Sequence, residues 1–101
     1  MNNPRTGRKH EEKATEWIRA QKYQILNEDD RKPNKFGGWP DRLALDSEGQ
    51  LHFFEVKTGS HDLDPHQRRV LKALYRCGVV HILKYDSDGQ FMGDDIFQDT
   101  L

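Results

Sequence analysis

Cysteine is almost absent from this chain: Cys77 is the only one in 101 residues. A single thiol excludes an internal disulfide and a zinc site built from several thiolates. No stretch approaches the ~20 apolar residues of a membrane-spanning helix, and the polar N-terminus lacks the apolar core of a signal peptide. Neither a P-loop nor the glycine fingerprint of a dinucleotide-binding fold occurs. These absences lead us to expect a cytoplasmic protein with no membrane partner. We also expect the single thiol, Cys77, to be buried.

Apolar residues make up only 34% of the chain and charged residues 33%, which predicts a thin core. The length fits one domain over residues 1–101, with a flexible arm at 1–6 and an acidic segment at 86–101. That segment holds five acidic residues and no Lys or Arg. Residues 1–85 then carry 16 basic and 12 acidic residues, a net charge of +4. A net positive charge on residues 1–85 is compatible with nucleic-acid binding but does not establish it.

Hydrophobic periodicity predicts an α/β domain in the order helix, three strands, helix, strand. The first helix is expected at residues 10–22, and the second runs from an N-cap at Asp64 to a C′ glycine at Gly78. Four strands are expected, at residues 23–26, 41–45, 51–57 and 79–85, with a short return at 90–92. We expect a central mixed sheet flanked by helices, in which strand 79–85 pairs beside strand 51–57 through a helical crossover.

Three charged residues fall where two strands of a predicted hairpin meet. Glu55 and Lys57 share one face of the third strand, because side chains alternate, and that face otherwise holds Leu51 and Phe53. Asp41 begins the preceding strand, so an antiparallel hairpin brings it close to both. Two adjacent carboxylates repel, and oxygen ligands suit Mg²⁺ or Mn²⁺, which would relieve the repulsion. Lys57 could then orient or deprotonate an attacking water. A salt bridge from Lys57 to Asp41 or Glu55 is the alternative.

The sequence resembles the PD-(D/E)xK nucleases. Pro40-Asp41 followed by Glu55-Val56-Lys57 matches their signature, and the flanking segments GGWPDRLAL and LHFFEVKTG are similar to the core of virus-type replication-repair nucleases (VRR-Nuc) and archaeal-type Holliday junction resolvases. The resemblance covers roughly residues 7–85. It implies a restriction-endonuclease-like core and a metal-dependent phosphodiesterase.

The resemblance also implies roles for single residues. Asp41 and Glu55 would bind Mg²⁺ or Mn²⁺, with the backbone carbonyl of Val56 as a third ligand. Lys57 would serve the nucleophile.

Two further residues carry expected roles with open alternatives. Glu11, on the first helix, would bind the metal directly or through water, or would only interact with the helix dipole. Gln67, at the start of the second helix, would face the catalytic site, as a glutamine does in VRR-type nucleases. Its alternative role is a capping interaction near Asp64, and both could hold.

Basic and aromatic side chains outside this cluster are candidate DNA contacts. The set is Arg8, Lys9, Lys35, Trp39, Arg68 and Arg69. A solvated helix face is the alternative for the two arginines of the second helix, and a loop anchor is the alternative for Trp39.

The function expected from this resemblance is DNA endonuclease activity that leaves a 5′-phosphate. A branched substrate such as a Holliday junction fits a small domain with no separate sequence-reading module, and a two-fold homodimer would present two sites to it. A short free-standing nuclease also resembles phage proteins that act in a bacterial host. The alternative is a non-catalytic DNA-binding module on a nuclease-like scaffold.

Overall fold

The computed structural model describes residues 4–27, 39–60 and 62–98, which hold two helices and five strands. The elements are α1 (Pro4–Ala20), β1 (Gln24–Ile25), β2 (Arg42–Leu45), β3 (Leu51–Thr58), α2 (Pro65–Leu74), β4 (Val79–Tyr85) and β5 (Phe91–Ile96). The predicted α/β class with a mixed sheet is confirmed. Within this part of the chain, no helix is long and apolar enough to cross a membrane.

The five strands form one sheet in the order β1-β2-β3-β4-β5. All neighbours are antiparallel except β3 and β4, which are parallel because α2 connects them. The β2–β3 hairpin turns at Asp46, whose Oδ1 accepts the backbone N–H groups of Glu48 and Gln50, both at 2.9 Å. Gly49 completes the turn at φ 81°, a conformation that favours glycine. The predicted hairpin and its crossover partner are therefore confirmed.

The sheet separates two apolar layers. On one face, Ala14 and Ile18 of α1 pack against Phe54 of β3. On the other, Leu71 of α2 packs against Phe53. Adjacent phenylalanines enter opposite layers because side chains alternate along a strand, and full burial of each contributes roughly 1.5–3 kcal/mol. The two faces of β3 are thus both covered by apolar side chains.

Helix α1 begins at Pro4, six residues before the predicted start. Proline is favoured in the first helical turn because its fixed φ suits the helix and its missing N–H has no partner there. Residues 4–6 of the expected arm therefore belong to α1, and residues 1–3 lie outside the described residues. Lys22 ends the helix region with a positive φ of 72°, and the N–H of Tyr23 bonds to the carbonyl of Ile18 at 3.4 Å.

Helix α2 has the predicted N-terminus but an earlier C-terminus. Asp64 caps it and Pro65 follows, whereas the helix ends at Leu74 instead of continuing to Gly78. The predicted C′ role of Gly78 is wrong: a Cβ there would collide with the carbonyl oxygen of Leu51, so glycine is required by the close approach to β3. Cys77 is exposed in this final turn, which corrects the expectation that it is buried.

Strand β5 spans Phe91–Ile96, twice the length of the predicted return at 90–92. Gly93 and two aspartates are poor strand formers, so local propensity underestimated it. Tertiary contacts stabilise the strand: Asp94 bonds to His81 at 2.9 Å and Asp95 pairs with Lys84 at 2.8 Å. Much of the predicted acidic segment is therefore an edge strand.

Candidate active site

Asp41 and Glu55 lie opposite each other at the open end of the β2–β3 hairpin. The last pair of the ladder joins Arg42 to Phe54, so one step further the register places Asp41 opposite Glu55. Asp41 Oδ2 accepts the backbone N–H of Val56 at 2.8 Å, which fixes this carboxylate against β3. The two acidic residues are only 8% and 5% exposed. The structure therefore brings together the first two predicted metal ligands.

Two carboxylates in this position are a costly arrangement for a fold alone. Burying an ionised carboxylate is unfavourable unless other groups compensate its charge. Glu55 makes further interactions, but its Oε2 atom is buried and accepts no hydrogen bond from the described residues. This oxygen-rich set is the donor chemistry that Mg²⁺ and Mn²⁺ take, so the residues fit such an ion.

Only two acidic side chains, in the described part of the chain, are placed to bind such an ion. No group of three or more His, Cys, Asp or Glu side chains there could hold a metal ion. Asp41, Glu55 and the carbonyl of Val56 would supply the protein ligands. Mg²⁺ commonly retains several waters and takes substrate phosphate oxygens, so a small protein set is compatible with it.

Lys57 is held by Gln67 across the gap between β3 and α2. Its Nζ donates to Gln67 Oε1 at 2.8 Å, a neutral acceptor. The alternative salt bridge from Lys57 to Asp41 or Glu55 is not among its contacts with the described residues. The ammonium group therefore has a defined position on the same sheet face as the two carboxylates.

Gln67 makes the predicted capping interaction and also contacts Lys57. Its N–H donates to Asp64 Oδ1 at 2.7 Å, and its Oε1 accepts the N–H of Asp64 at 3.1 Å, which completes a capping box. The same Oε1 accepts from Lys57. The cap of α2 thus fixes the position of the lysine.

Arg42 is a buried cation that lies behind the site. The sequence did not lead us to expect a role for this arginine. It is 3% exposed, and its Nη1 donates to the Asp41 carbonyl at 2.8 Å. Asn27 Nδ2 donates to the same carbonyl at 3.0 Å. Arg42 Nε reaches Thr15 on α1 at 2.9 Å. A signal was available: alternation in the segment Arg42–Leu45 places this arginine beside Ala44 on a buried face.

Glu11 lies on α1, which covers the sheet face opposite α2. Its backbone carbonyl accepts the hydroxyl of Thr15 at 2.9 Å. Because Asp41 and Glu55 belong to the α2 face, the described residues do not assemble the three acids into one group. The metal-ligand role of Glu11 stays a prediction.

The expected DNA contacts are only partly described. Arg68 and Arg69 are exposed near the start of α2, where Arg68 has a 3.4 Å contact with exposed Asp62. Trp39 is 38% exposed, two residues before Asp41. The remaining candidates lie outside the described residues: the side chains of Arg8 and Lys9, and Lys35 as a whole.

Comparisons of this chain with protein-family models, with curated proteins and with solved structures found no match. The chemistry of the site is therefore the basis for assigning a function.

Proposed function

We propose that this protein is a metal-dependent DNA endonuclease of the PD-(D/E)xK type, with a restriction-endonuclease-like core and a preference for branched DNA. One observation carries the proposal: Asp41, Glu55 and Lys57 converge on one sheet face, with Asp41 bound to the Val56 N–H and Lys57 bound to Gln67. A purely structural hairpin end has no need for two nearly buried carboxylates beside an oriented ammonium group.

Asp41, Glu55 and the Val56 carbonyl would hold Mg²⁺ or Mn²⁺, and the bound ion would supply a polarised phosphoryl group and a more acidic water. Lys57 has three N–H donors, of which Gln67 takes one. The other two can orient an attacking water or a phosphoryl oxygen. Hydrolysis adds this water to phosphorus, breaks the bond to the 3′ oxygen and leaves a 5′-phosphate and a 3′-hydroxyl.

Features beside the site support a nucleic-acid substrate. Arg68 and Arg69 follow Gln67 directly and are exposed, so they can reach phosphates on either side of the scissile bond. The partly exposed ring of Trp39 can stack on an unpaired base, which only a branched or distorted substrate offers. A two-fold homodimer would present two such sites to a four-way junction.

A cleavage assay with matched variants tests the proposal. Duplex, flap, splayed and four-way DNA are incubated with Mg²⁺, Mn²⁺ or EDTA. Lys57→Ala and Asp41→Ala should abolish cutting while circular dichroism shows a retained fold. Lys84→Ala is the matched control, since this exposed lysine pairs with Lys57 in the β3–β4 register, and it should retain cutting within a few-fold. Unchanged cutting by both site variants would refute the assigned site.

The second candidate is a non-catalytic DNA-binding module. The observation that favours it is the limited set of two acidic side chains at the site among the described residues. Such a module would bind the same DNA panel with an affinity that falls as salt rises, and would cut none of it under any metal condition.

A further inference from the structure

Four titratable side chains form a continuous hydrogen-bonded chain across the sheet, on the face opposite the candidate active site. Asp46 Oδ2 lies 2.9 Å from His52 Nε2. His52 Nδ1 lies 2.8 Å from His81 Nε2. His81 Nδ1 lies 2.9 Å from Asp94 Oδ2. The chain joins the β2–β3 turn, β3, β4 and the edge strand β5, and the proposed nuclease chemistry uses none of it.

The two imidazoles are shielded from water. His52 is 7% exposed and His81 is 4% exposed. The ring of Phe54 stacks on His81 with centroids 4.3 Å apart, and the ring of Tyr23 lies 4.7 Å from His52. If the hydrogen bond between the two rings were lost, bulk water could not readily replace it.

Few other titratable groups face this pair within the part of the chain that the structure describes. The turn contributes Asp46, β5 contributes Asp94, and the α1–β1 connection contributes Tyr23. Burial raises the pKa of Tyr23, and the charges of Asp94 and Asp46 raise it further, so its phenol stays neutral. From β2, the apolar Ala44 lies opposite His52, and Ala14 and Ile18 of α1 pack against Phe54, whose ring stacks on His81.

Counting protons shows that two neutral histidines cannot form this chain. An ionised carboxylate only accepts, so His52 Nε2 and His81 Nδ1 must both carry a proton. The hydrogen bond to His52 is the largest of the effects that lower the pKa of Asp46, which is therefore ionised near neutral pH. The contact between the rings needs one more hydrogen, whereas two neutral imidazoles hold only two in total.

We propose that the His52–His81 pair binds one additional proton, shared between Nδ1 and Nε2, and that this proton fastens β5 and the β2–β3 turn to the sheet. If the two rings carried only two protons in total, two nitrogen lone pairs would face each other at 2.8 Å. If they carried four, two N–H groups would face each other at that distance. The pair is thus a binding site for a single proton between two carboxylates.

A second charge on the pair is unfavourable. Burial lowers the pKa of His81 and the neighbouring His52 lowers it further, although Asp94 acts in the opposite direction. Strand β5 should respond most to a change in the charge of the pair, because its side chains Phe91, Met92 and Ile96 are all more than 40% exposed to solvent. The ion pair Lys84–Asp95 also holds β5, but it lies at the surface, where an ion pair contributes little to stability.

Histidine-selective ¹⁵N NMR on the full wild-type chain tests the proposal. At about pH 6, near the ordinary histidine pKa of about 6.5, three of the four ring nitrogens of the pair should be protonated. One N–H between the rings should be protected from exchange. Two protonated nitrogens, or four, would overturn the proposal, and this measurement needs no variant that could fail to fold.

A variant then tests the role of the flanking charge. Asp94→Asn retains an oxygen acceptor for His81 but removes the negative charge, so the pH at which the pair releases its shared proton should fall by roughly 1–3 units. Faster hydrogen exchange should appear first in β5. The control His66→Gln alters an exposed histidine on α2 and should leave the release pH unchanged. No shift in Asp94→Asn, or an equal shift in the control, would contradict the shared-proton site.

Discussion

Replacing Asp41 by asparagine should stabilise the metal-free protein while removing its response to metal. Asp41 lies opposite Glu55, and both are nearly buried. Residues directly opposite on antiparallel strands lie about 5 Å apart, and two unit charges at that distance repel by about 3 kcal/mol at an effective dielectric constant of about 20. Asp41→Asn removes this repulsion and keeps an oxygen that can accept the Val56 N–H.

Two effects reduce the gain. The hydrogen bond to Val56 changes from charge-assisted to neutral, at a cost of about 1 kcal/mol. The ammonium of Lys57 on the same face already offsets part of the repulsion. A net stabilisation of about 1–2 kcal/mol remains, equivalent to roughly 5–10 °C in Tm for a domain of this size.

Thermal unfolding at about pH 8, well above the ordinary pKa of a carboxyl group, measures this directly. In EDTA, Asp41→Asn should melt above the wild type. With Mn²⁺ or Mg²⁺ the wild type should gain stability, since the ion binds only the folded state, and the variant should gain none. The control Asp88→Asn changes the net charge equally in an exposed turn and should behave as the wild type. A variant that melts lower in EDTA, yet is still stabilised by metal, would refute the reasoning.

Three further predictions concern the supports of the site and the fold. Gly78→Ala should destabilise the protein by about 1–3 kcal/mol in urea unfolding, because its Cβ would collide with the Leu51 carbonyl; an unchanged midpoint would contradict the close approach. Gln67→Ala should cost about 1 kcal/mol, because the α2 cap loses a partner, and should slow cleavage because Lys57 loses its acceptor; normal stability and normal cleavage would contradict both roles. Acidification below about pH 6 should lower stability, because each histidine of the unfolded chain then binds a proton, whereas the folded pair holds one shared proton and burial, which lowers the pKa of His81, opposes a second; a urea midpoint that rises below this pH would have the wrong sign.

Local patterns predicted the centre of the fold well. Alternation along residues 51–57 assigned Phe53 and Phe54 to opposite layers, as the structure has them. Asp64 followed by Pro65 marked the start of α2, because capping depends on neighbouring residues only. The same alternation, in a predicted antiparallel hairpin, was enough to bring Asp41 close to Glu55.

The features that the sequence did not predict depend on contacts between distant segments. The chain from His52 to His81 requires the register of two parallel strands joined by α2. Gly78 was interpreted by its position after a helix, although its requirement comes from Leu51 on another strand. Strand β5 has weak intrinsic propensity and is held partly through Asp94. Such contacts leave no local pattern.

The most direct test of the central claim is the cutting of a labelled four-way DNA junction by the wild-type protein in Mn²⁺, compared with EDTA. We expect strand cleavage that requires the metal and leaves 5′-phosphate ends, because Asp41 and Glu55 would hold the ion and Lys57 would serve the water. A protein that binds the junction but leaves every strand intact in Mn²⁺ and in Mg²⁺ would contradict it.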